Sequence, residues 1–278
     1  MSKRNGHVRD EQIVLNNNSK PRYIINGVPA LDYISVTNLV EKGAKGKPVD
    51  RMRVAALRVK TTDQNSPNYG ISQADLVNKW DASEKAGTHM HANIERYYDR
   101  KSMILDGHTL PEDYTLPDEA MWEWRFFLNF DKSFIDANEY EIYRVEWCMF
   151  DEASRICGTA DAVFRNKTTG KFMLVDWKRS EVISKGTRKF TPSKLKQYFM
   201  QVNVYAEILS RMYNLTIDQL LLVVLHPNGD DYECIHVPID NTIGSMINDR
   251  IAENNSISND IMSTMMDDDL EWFSVDCV

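Results

Sequence analysis

The sequence contains no long apolar run. No stretch approaches the roughly 18 consecutive apolar residues that a membrane-spanning helix requires. The first seven residues, Met-Ser-Lys-Arg-Asn-Gly-His, also lack the apolar segment of a secretory signal peptide. The sequence therefore predicts an intracellular protein with no membrane partner, and it leaves the compartment open.

Cysteine is scarce and scattered. The four cysteines are Cys148, Cys157, Cys234 and Cys277, and no two of them have C-x-x-C spacing. Zinc and iron–sulfur sites need clustered thiolates. The pattern therefore argues against both and is typical of reduced thiols. No Ser–His–Asp order and no activated thiolate favours covalent catalysis either.

Positive charge is missing from the end of the chain. Residues 259–278 contain six acidic residues and no Lys or Arg, and removing those six charges from the net charge of −8 leaves −2. We expect this acidic tail to be disordered, and either to compete with nucleic acid or to bind a protein partner.

Basic residues are concentrated in two stretches, residues 42–60 and 178–196. A local field, more than the total charge, steers a polyanion toward a protein. Both stretches are candidate nucleic-acid contacts, although a solvated surface would have the same composition. The candidate contacts are Lys42, Lys45, Lys47, Arg51, Arg53, Lys185, Arg188, Lys189 and Lys194.

The length of 278 residues allows one elaborated domain, and the contents of 42% hydrophobic and 27% charged residues are typical of globular proteins. We expect a flexible arm at residues 1–22, one domain at 23–255 and the acidic tail at 256–278. Within the domain, a helical region at about 35–135 precedes a core at about 138–240. Strands and helices mix without βαβ regularity, which predicts an α/β (mixed α+β) fold with helices flanking a mixed central sheet.

Residues 158–179 are predicted to form a β-hairpin, because two apolar-rich runs flank a short polar turn. If the turn centres on Thr168 and Thr169, antiparallel pairing places Asp161 opposite Asp176. Like charges in that position destabilise a sheet. A divalent cation between the two carboxylates would offset the repulsion, whereas an ion pair between strands is the structural alternative.

Further polar residues are predicted to converge on this hairpin. Lys178 shares a strand face with Asp176, and Glu146 lies on the preceding strand, where it could equally face solvent. His91 lies on the inward face of a helix, as a metal ligand or as a core histidine. Gln201 and Tyr205 are one turn apart on the following helix, and the simpler explanation is a buried tyrosine bonded by glutamine.

Four short motifs occur in a fixed order along the chain. They are G-T-x-x-H at residues 87–91, G-x-x-D at 158–161, D-x-K at 176–178 and Q-x-x-x-Y at 201–205. Together they resemble the RecB-type branch of the PD-(D/E)XK nuclease superfamily, over roughly residues 35–210. The Ser-Val-Thr at 35–37 is similar to that of the mitochondrial genome maintenance exonuclease group, which has phage and viral relatives, so a phage or viral origin is open.

The resemblance implies a metal site at a sheet edge that binds Mg²⁺ or Mn²⁺. It implies His91, Asp161, Asp176 and the backbone carbonyl of Trp177 as ligands, with Glu146 as a further one. Lys178 would orient or deprotonate the attacking water, and Gln201 and Tyr205 would position the metal site or the strand. Some members also carry a four-cysteine iron–sulfur cluster, but the cysteines here do not have its spacing, so no cluster is expected.

The function expected from the resemblance is hydrolysis of phosphodiester bonds. The first hypothesis is a DNA exonuclease that acts on single-stranded ends in replication, recombination or repair. An endonuclease of DNA or RNA on the same fold is the second. The third is a non-catalytic nucleic-acid-binding module, and the intact Asp161, Asp176 and Lys178 argue against it.

Overall fold

The computed structural model describes residues 5–16, 22–45, 50–110, 115, 117, 122–179, 190–227 and 229–272, without residues 63 and 67. Of residues 42–45 and 258–272 it describes the backbone alone. The strands are β1 Ile13–Leu15, β2 Tyr23–Ile25, β3 Val28–Pro29, β4 Ile34–Ser35, β5 Tyr140–Asp151, β6 Ile156–Asn166, β7 Phe172–Lys178, β8 Ile217–Val224 and β9 Glu233–Val237. The α-helices are α1 Val36–Lys45, α2 Arg51–Arg58, α3 Gln73–Leu105, α4 Trp122–Phe130, α5 Pro192–Tyr213 and α6 Ile243–Trp272.

A mixed sheet of six strands forms the centre of the molecule. β6 pairs antiparallel with β5 and β7 and, at its first two residues, parallel with β4. β7 pairs parallel with β8, which pairs antiparallel with β9. Helices α1 to α3 precede the long strands in the chain. The predicted α/β fold with a mixed central sheet and a helical N-terminal region is therefore confirmed.

Two apolar clusters hold the flanking helices against the sheet. In one, residues of α1, α5 and α6, such as Val36 and Ile208, pack with Leu174 of β7. In the other, residues of α3 and α4, such as Ile94 and Phe127, pack with Trp177 of β7. Alternate residues of a strand point to opposite faces. The sheet is therefore covered on both sides, and α3 and α5 approach the same strand from opposite faces.

The β6–β7 hairpin has the register that the sequence predicts. Ala162 pairs with Val175, and the pairing continues to Arg165 with Phe172. Regular pairing starts one residue beyond Asp161 and ends one residue before Asp176. The two aspartates therefore lie where the strands separate, which leaves space for polar side chains.

The N-terminal segment is a correction to the predicted flexible arm. Within residues 5–16 the chain forms a 3₁₀ helix, Val8–Gln12, followed by β1. Asp10 accepts hydrogen bonds from Arg144 and Trp147 of β5, at 2.6 and 2.9 Å. The composition of this segment is polar, but its polar groups have specific partners on β5, and these hold the segment in place. Residues 1–4 and 17–21 lie outside the described residues.

The C-terminal segment also differs from the prediction. The backbone of α6 is helical from Ile243 to Trp272 and so continues through most of the stretch expected to be disordered. Residues 273–278 lie outside the described part. The binding role of the tail stays a prediction. Among the described residues, no helix has the length and apolar character needed to cross a membrane.

Candidate metal centre

Helix α3 brings His91 to the edge of the sheet. The helix is capped by Ser72, whose hydroxyl accepts a hydrogen bond from the backbone N–H of Asp75 at 3.1 Å. Ile94 and Tyr98 of α3 are buried against the sheet. This packing fixes the rotation of the helix, so that the His91 side chain is directed to β5 and β6 with 29% of its surface exposed.

His91, Glu146 and Asp161 form a compact cluster. The Nδ1 atom of His91 lies 3.6 Å from Oδ2 of Asp161 and 3.9 Å from Oε1 of Glu146. One ligand atom from each of the three residues lies within 4.8 Å of the others. An imidazole and two carboxylates at this spacing are a donor set that divalent cations accept. The three residues come from three separate elements, so the cluster is a product of the tertiary fold.

Glu146 is held in a strained backbone conformation. Its φ angle of 43° is in the left-handed region, although it lies within β5. Val145 pairs with Ala162 and Trp147 with Ala160, which places Glu146 opposite Asp161 at an interruption in the ladder. A residue other than glycine in this region costs roughly 1–2 kcal/mol. The strained residue of β5 is thus the same residue that contributes a carboxylate to the cluster.

The charges of the cluster shift one another's pKa values. Burial lowers the pKa of His91, but Asp161 and Glu146 more than offset this effect and raise the pKa to about 9. Burial also raises the pKa of Asp161, against the opposing charge of His91. The imidazole is therefore held as a cation between two carboxylates, in the position that suits a cation of higher charge.

Asp176 and Lys178 lie next to this cluster in a more buried setting. Asp176 is 1% exposed, and its Oδ2 lies 2.5 Å from the Nζ of Lys178. The contact is an ion pair by distance, yet neither oxygen of Asp176 accepts a well-aligned hydrogen bond from the described residues. Burial raises the pKa of Asp176 to about 6, although Lys178 opposes the shift. An under-satisfied buried carboxylate is costly unless another group binds it.

The predicted convergence of Asp161 with Asp176 is supported by a direct link between their strands. The backbone N–H of Trp177 donates a hydrogen bond to Oδ2 of Asp161 at 2.8 Å. The side chain of Trp177 is 1% exposed and belongs to the core under α3 and α4. The Trp177 carbonyl as a metal ligand stays a prediction.

Gln201 and Tyr205 connect Lys178 to the packing of the sheet. The Nζ of Lys178 lies 3.4 Å from Oε1 of Gln201, whose Nε2 lies 3.3 Å from the Tyr205 hydroxyl. The Tyr205 ring packs on Gly158, where an added Cβ would lie 2.7 Å from the ring and 3.0 Å from Val36. The glycine of the G-x-x-D motif therefore leaves room for the tyrosine that supports Gln201.

Two site residues were not predicted from the sequence. Tyr198 of α5 lies under Lys178, with Nζ 4.4 Å from the ring centroid. Glu95 lies one helical turn after His91 on α3, and burial, together with the charges of Glu146 and Asp99, raises its pKa to about 7. Their spacing in the sequence could have identified them, because Tyr198 lies three residues before Gln201 and Glu95 lies four residues after His91.

The structure describes only some of the predicted nucleic-acid contacts. Arg51 bonds Asp81 and Glu84 of α3, at 2.8 and 3.2 Å. Arg53 is exposed on α2, and the Lys194 ammonium lies 4.8 Å from the centroid of the Tyr198 ring. The backbone of Lys42 and Lys45 is in α1, but their side chains are not described, and Lys47, Lys185, Arg188 and Lys189 lie outside the described residues.

No family model matches the chain, and no curated protein does. A solved structure titled "Crystal structure of SSO0001" is similar at 20% identity over 47% of this chain and 55% of that one, with a TM-score of 0.27. The chain thus spans about half the length of the structure it matches. At this TM-score the match carries no argument about fold or function.

Proposed function

We propose that this protein is a divalent-metal-dependent nuclease of the RecB-type PD-(D/E)XK branch, and specifically a DNA exonuclease that acts on single-stranded ends in replication, recombination or repair. The observation that carries the proposal is the convergence of His91, Glu146 and Asp161, with their ligand atoms within 4.8 Å of one another. The buried Asp176–Lys178 pair beside them supplies the remaining charged groups of the D-x-K motif.

Each group of the cluster has a role in this chemistry. His91, Glu146 and Asp161 would hold Mg²⁺ or Mn²⁺, with Asp176 and the carbonyl of Trp177 as further oxygen ligands. The bound cation would supply an activated water and neutralise charge on the scissile phosphate. Lys178 would donate a hydrogen bond from Nζ to the attacking water or to the phosphate oxygen on which charge develops.

The neighbours of Lys178 explain how its ammonium is kept in place. Asp176, the Gln201 carbonyl oxygen and the Tyr198 ring surround Nζ at 2.5, 3.4 and 4.4 Å. Burial lowers the pKa of Lys178, but Asp176 and Asp161 reverse the effect, so that its pKa is raised. The side chain therefore stays protonated at neutral pH and acts as a hydrogen-bond donor and a fixed positive charge, which favours orientation of the water over its deprotonation.

Digestion of end-labelled linear and of circular single-stranded DNA tests the proposal. With Mg²⁺ or Mn²⁺ we expect the linear strand to be degraded and the circular strand to stay intact. Asp161→Asn should abolish cleavage, whereas Asp32→Asn, at an exposed position, should leave it unchanged. Cleavage of the circle would show an endonuclease, and a matched RNA strand tests the choice of sugar. No cleavage of any strand with either metal would contradict the proposal.

A further inference from the structure

Two lysines contact the same aromatic ring beside the candidate metal centre. The Nζ atom of Lys178, at the end of β7, lies 4.4 Å from the centroid of the Tyr198 ring on α5. The Nζ atom of Lys194, one helical turn before Tyr198, lies 4.8 Å from the same centroid. An ammonium group at such a distance is attracted by the ring. The two ammonium groups are therefore separated by no more than the sum of these two distances.

The Tyr198 ring is held in place by its own packing. Phe190 contacts it edge-on, with the ring centroids 5.3 Å apart and an angle of 90° between the planes. Both residues pack against the apolar cluster that joins α1, α5 and α6 to the sheet. Lysine side chains are flexible, and ordering them on binding costs free energy. A fixed ring that already contacts both lysines reduces this cost for a ligand that binds both ammonium groups.

The first turn of α5 carries positive charge where a helix favours negative charge. The helix begins at Pro192 after the cap residue Thr191, and its first turn contains no acidic residue. The partly exposed Lys194 lies in this turn. Because the positive end of the helix dipole is at the N-terminus, a lysine there is unfavourable and a bound anion is favourable. The charge of this turn therefore suits an anionic ligand.

We propose that Lys194 binds the phosphate next to the one that Lys178 contacts, so that the Tyr198 ring spaces a site for two neighbouring phosphates of a single strand. The inference rests on the proposed function for the identity of the ligand. Consecutive phosphates lie about 3.4 Å apart along the axis of a stacked strand, and further apart in an extended one. Two ammonium groups on one ring can match this spacing. Lys194 then holds the nucleotide that adjoins the scissile bond.

Equilibrium binding in EDTA tests the proposal without cleavage. Two single strands of equal length and equal total charge are compared, each with half of its linkages replaced by neutral methylphosphonates. The charged phosphates are consecutive in the block strand, whereas no two of them are neighbours in the alternating strand. The lysine pair can therefore contact two charges of the block strand but only one of the alternating strand. For the wild type we expect the block strand to bind about fivefold more tightly at 0.1 M salt, the contribution of one phosphate contact.

Variants of α5 assign this preference to the lysine pair. Lys194→Ala removes the second contact and should bind the two strands about equally. Tyr198→Leu removes the ring and should lower the preference by about twofold or more, whereas Tyr198→Phe keeps the ring and should keep the wild-type ratio. Lys196→Ala is the matched control, because Lys196 is exposed two residues further along α5, on another face of the helix. It should also keep the wild-type ratio.

The outcomes separate this proposal from the nuclease assignment. A preference for the block strand that Lys194→Ala removes, in a protein that cuts no strand with Mg²⁺ or Mn²⁺, would keep the two-phosphate site and remove the nuclease function. Metal-dependent cleavage with the same preference in the wild type and in Lys194→Ala would do the opposite. Equal binding of the two strands by the wild type, or binding of neither, would also overturn the two-phosphate site.

Discussion

Two buried aspartates, each with a lysine partner, differ in how fully they are bonded. Asp131, at the start of a π-helix, Asp131–Asp136, that follows α4, accepts hydrogen bonds from the hydroxyls of Tyr97 and Tyr98 at 2.6 and 2.8 Å. It also accepts one from Nζ of Lys101 at 2.6 Å. Asp176 has an ion pair with Lys178 and no well-aligned donor among the described residues.

The difference separates a structural ion pair from a candidate site. Both oxygens of Asp131 accept hydrogen bonds from side chains of α3. The Asp131–Lys101 pair therefore stabilises the contact between α3 and the π-helix. Asp176 lies beside the cluster of His91, Glu146 and Asp161, and its carboxylate oxygens can still accept hydrogen bonds or bind a cation. Both lysines belong to a D-x-K triplet, Lys101 at residues 99–101 and Lys178 at residues 176–178, but Lys101 pairs with Asp131 outside its triplet. Tertiary context, and not the spacing, distinguishes them.

Replacing the two lysines gives the largest expected effect. Lys178→Met should lower the cleavage rate by on the order of 10² or more in a folded protein, because one charge-stabilising donor is lost. Its affinity for Mn²⁺ should be equal or higher, since a competing cation is gone. Lys101→Met should lower stability and leave the rate constant of the folded protein unchanged. A gel cleavage assay and calorimetric Mn²⁺ titration measure both. A Lys178→Met protein that folds, binds Mn²⁺ and cuts at the wild-type rate would refute the role of Lys178.

Replacing the two aspartates sharpens the comparison in terms of stability. Asp131→Asn should lower the free energy of unfolding by roughly 2–4 kcal/mol, because it removes the charge that pairs Lys101 and accepts two buried hydroxyls. Asp176→Asn should cost less than Asp131→Asn in EDTA, since the carboxylate it replaces accepts no well-aligned hydrogen bond and lies near the like charge of Asp161, although the variant leaves Lys178 with one partner fewer. Urea unfolding of both variants measures the difference. Equal costs would mean that Asp176 is as structural as Asp131.

The pH dependence of stability tests the charge state of the metal centre. In the folded protein the pKa of His91 is about 9, above its ordinary value of 6.5. Between these values the folded state binds more protons than the unfolded state, so the stabilisation is complete below pH 6.5 and is lost as the pH rises toward 9. We expect a loss on the order of 2 kcal/mol in EDTA. His91→Gln should remove this slope, and a slope retained in that variant would contradict the assignment.

Two arginines of α2 extend the comparison to the surface, with the smallest expected effect. Arg51 is bonded to Asp81 and Glu84, whereas Arg53 has no ion pair among the described residues. If both arginines face the bound DNA strand, Arg53→Ala should reduce the slope of the logarithm of DNA affinity against the logarithm of salt concentration by about 1. Arg51→Ala should reduce this slope by less. Binding of single-stranded DNA at several salt concentrations measures the slopes. A larger change for Arg51→Ala would contradict this order.

Local sequence patterns predicted the elements that carry the site. The register of the 158–179 hairpin and the spacing of Gln201 and Tyr205 depend on residues close in the chain, and the structure has both. The mixed character of the central sheet was predicted because strands and helices mix without βαβ regularity, and the number of its strands comes from the structure. Patterns of this kind report on helices and strands within a few residues of one another.

The features that the sequence did not predict depend on distant contacts. The left-handed backbone of Glu146 occurs opposite Asp161 of the neighbouring strand, and no residue type in the sequence signals it. The N-terminal segment is held by the contact of Asp10 with Arg144, which are far apart in the chain. The pairing of Lys101 with Asp131 is a further contact of this kind, because the two residues lie 30 apart in the chain.

Calorimetric titration of Mn²⁺ into the wild type, Asp161→Asn and Asp32→Asn tests the central claim most directly. The claim is that His91, Glu146, Asp161 and Asp176 form a binding site for a divalent cation. We predict one saturable site in the wild type, the same site in Asp32→Asn, and an affinity in Asp161→Asn that is lower by a factor on the order of 10 to 100 or more. Equal Mn²⁺ affinity in the wild type and in a folded Asp161→Asn protein would contradict the account.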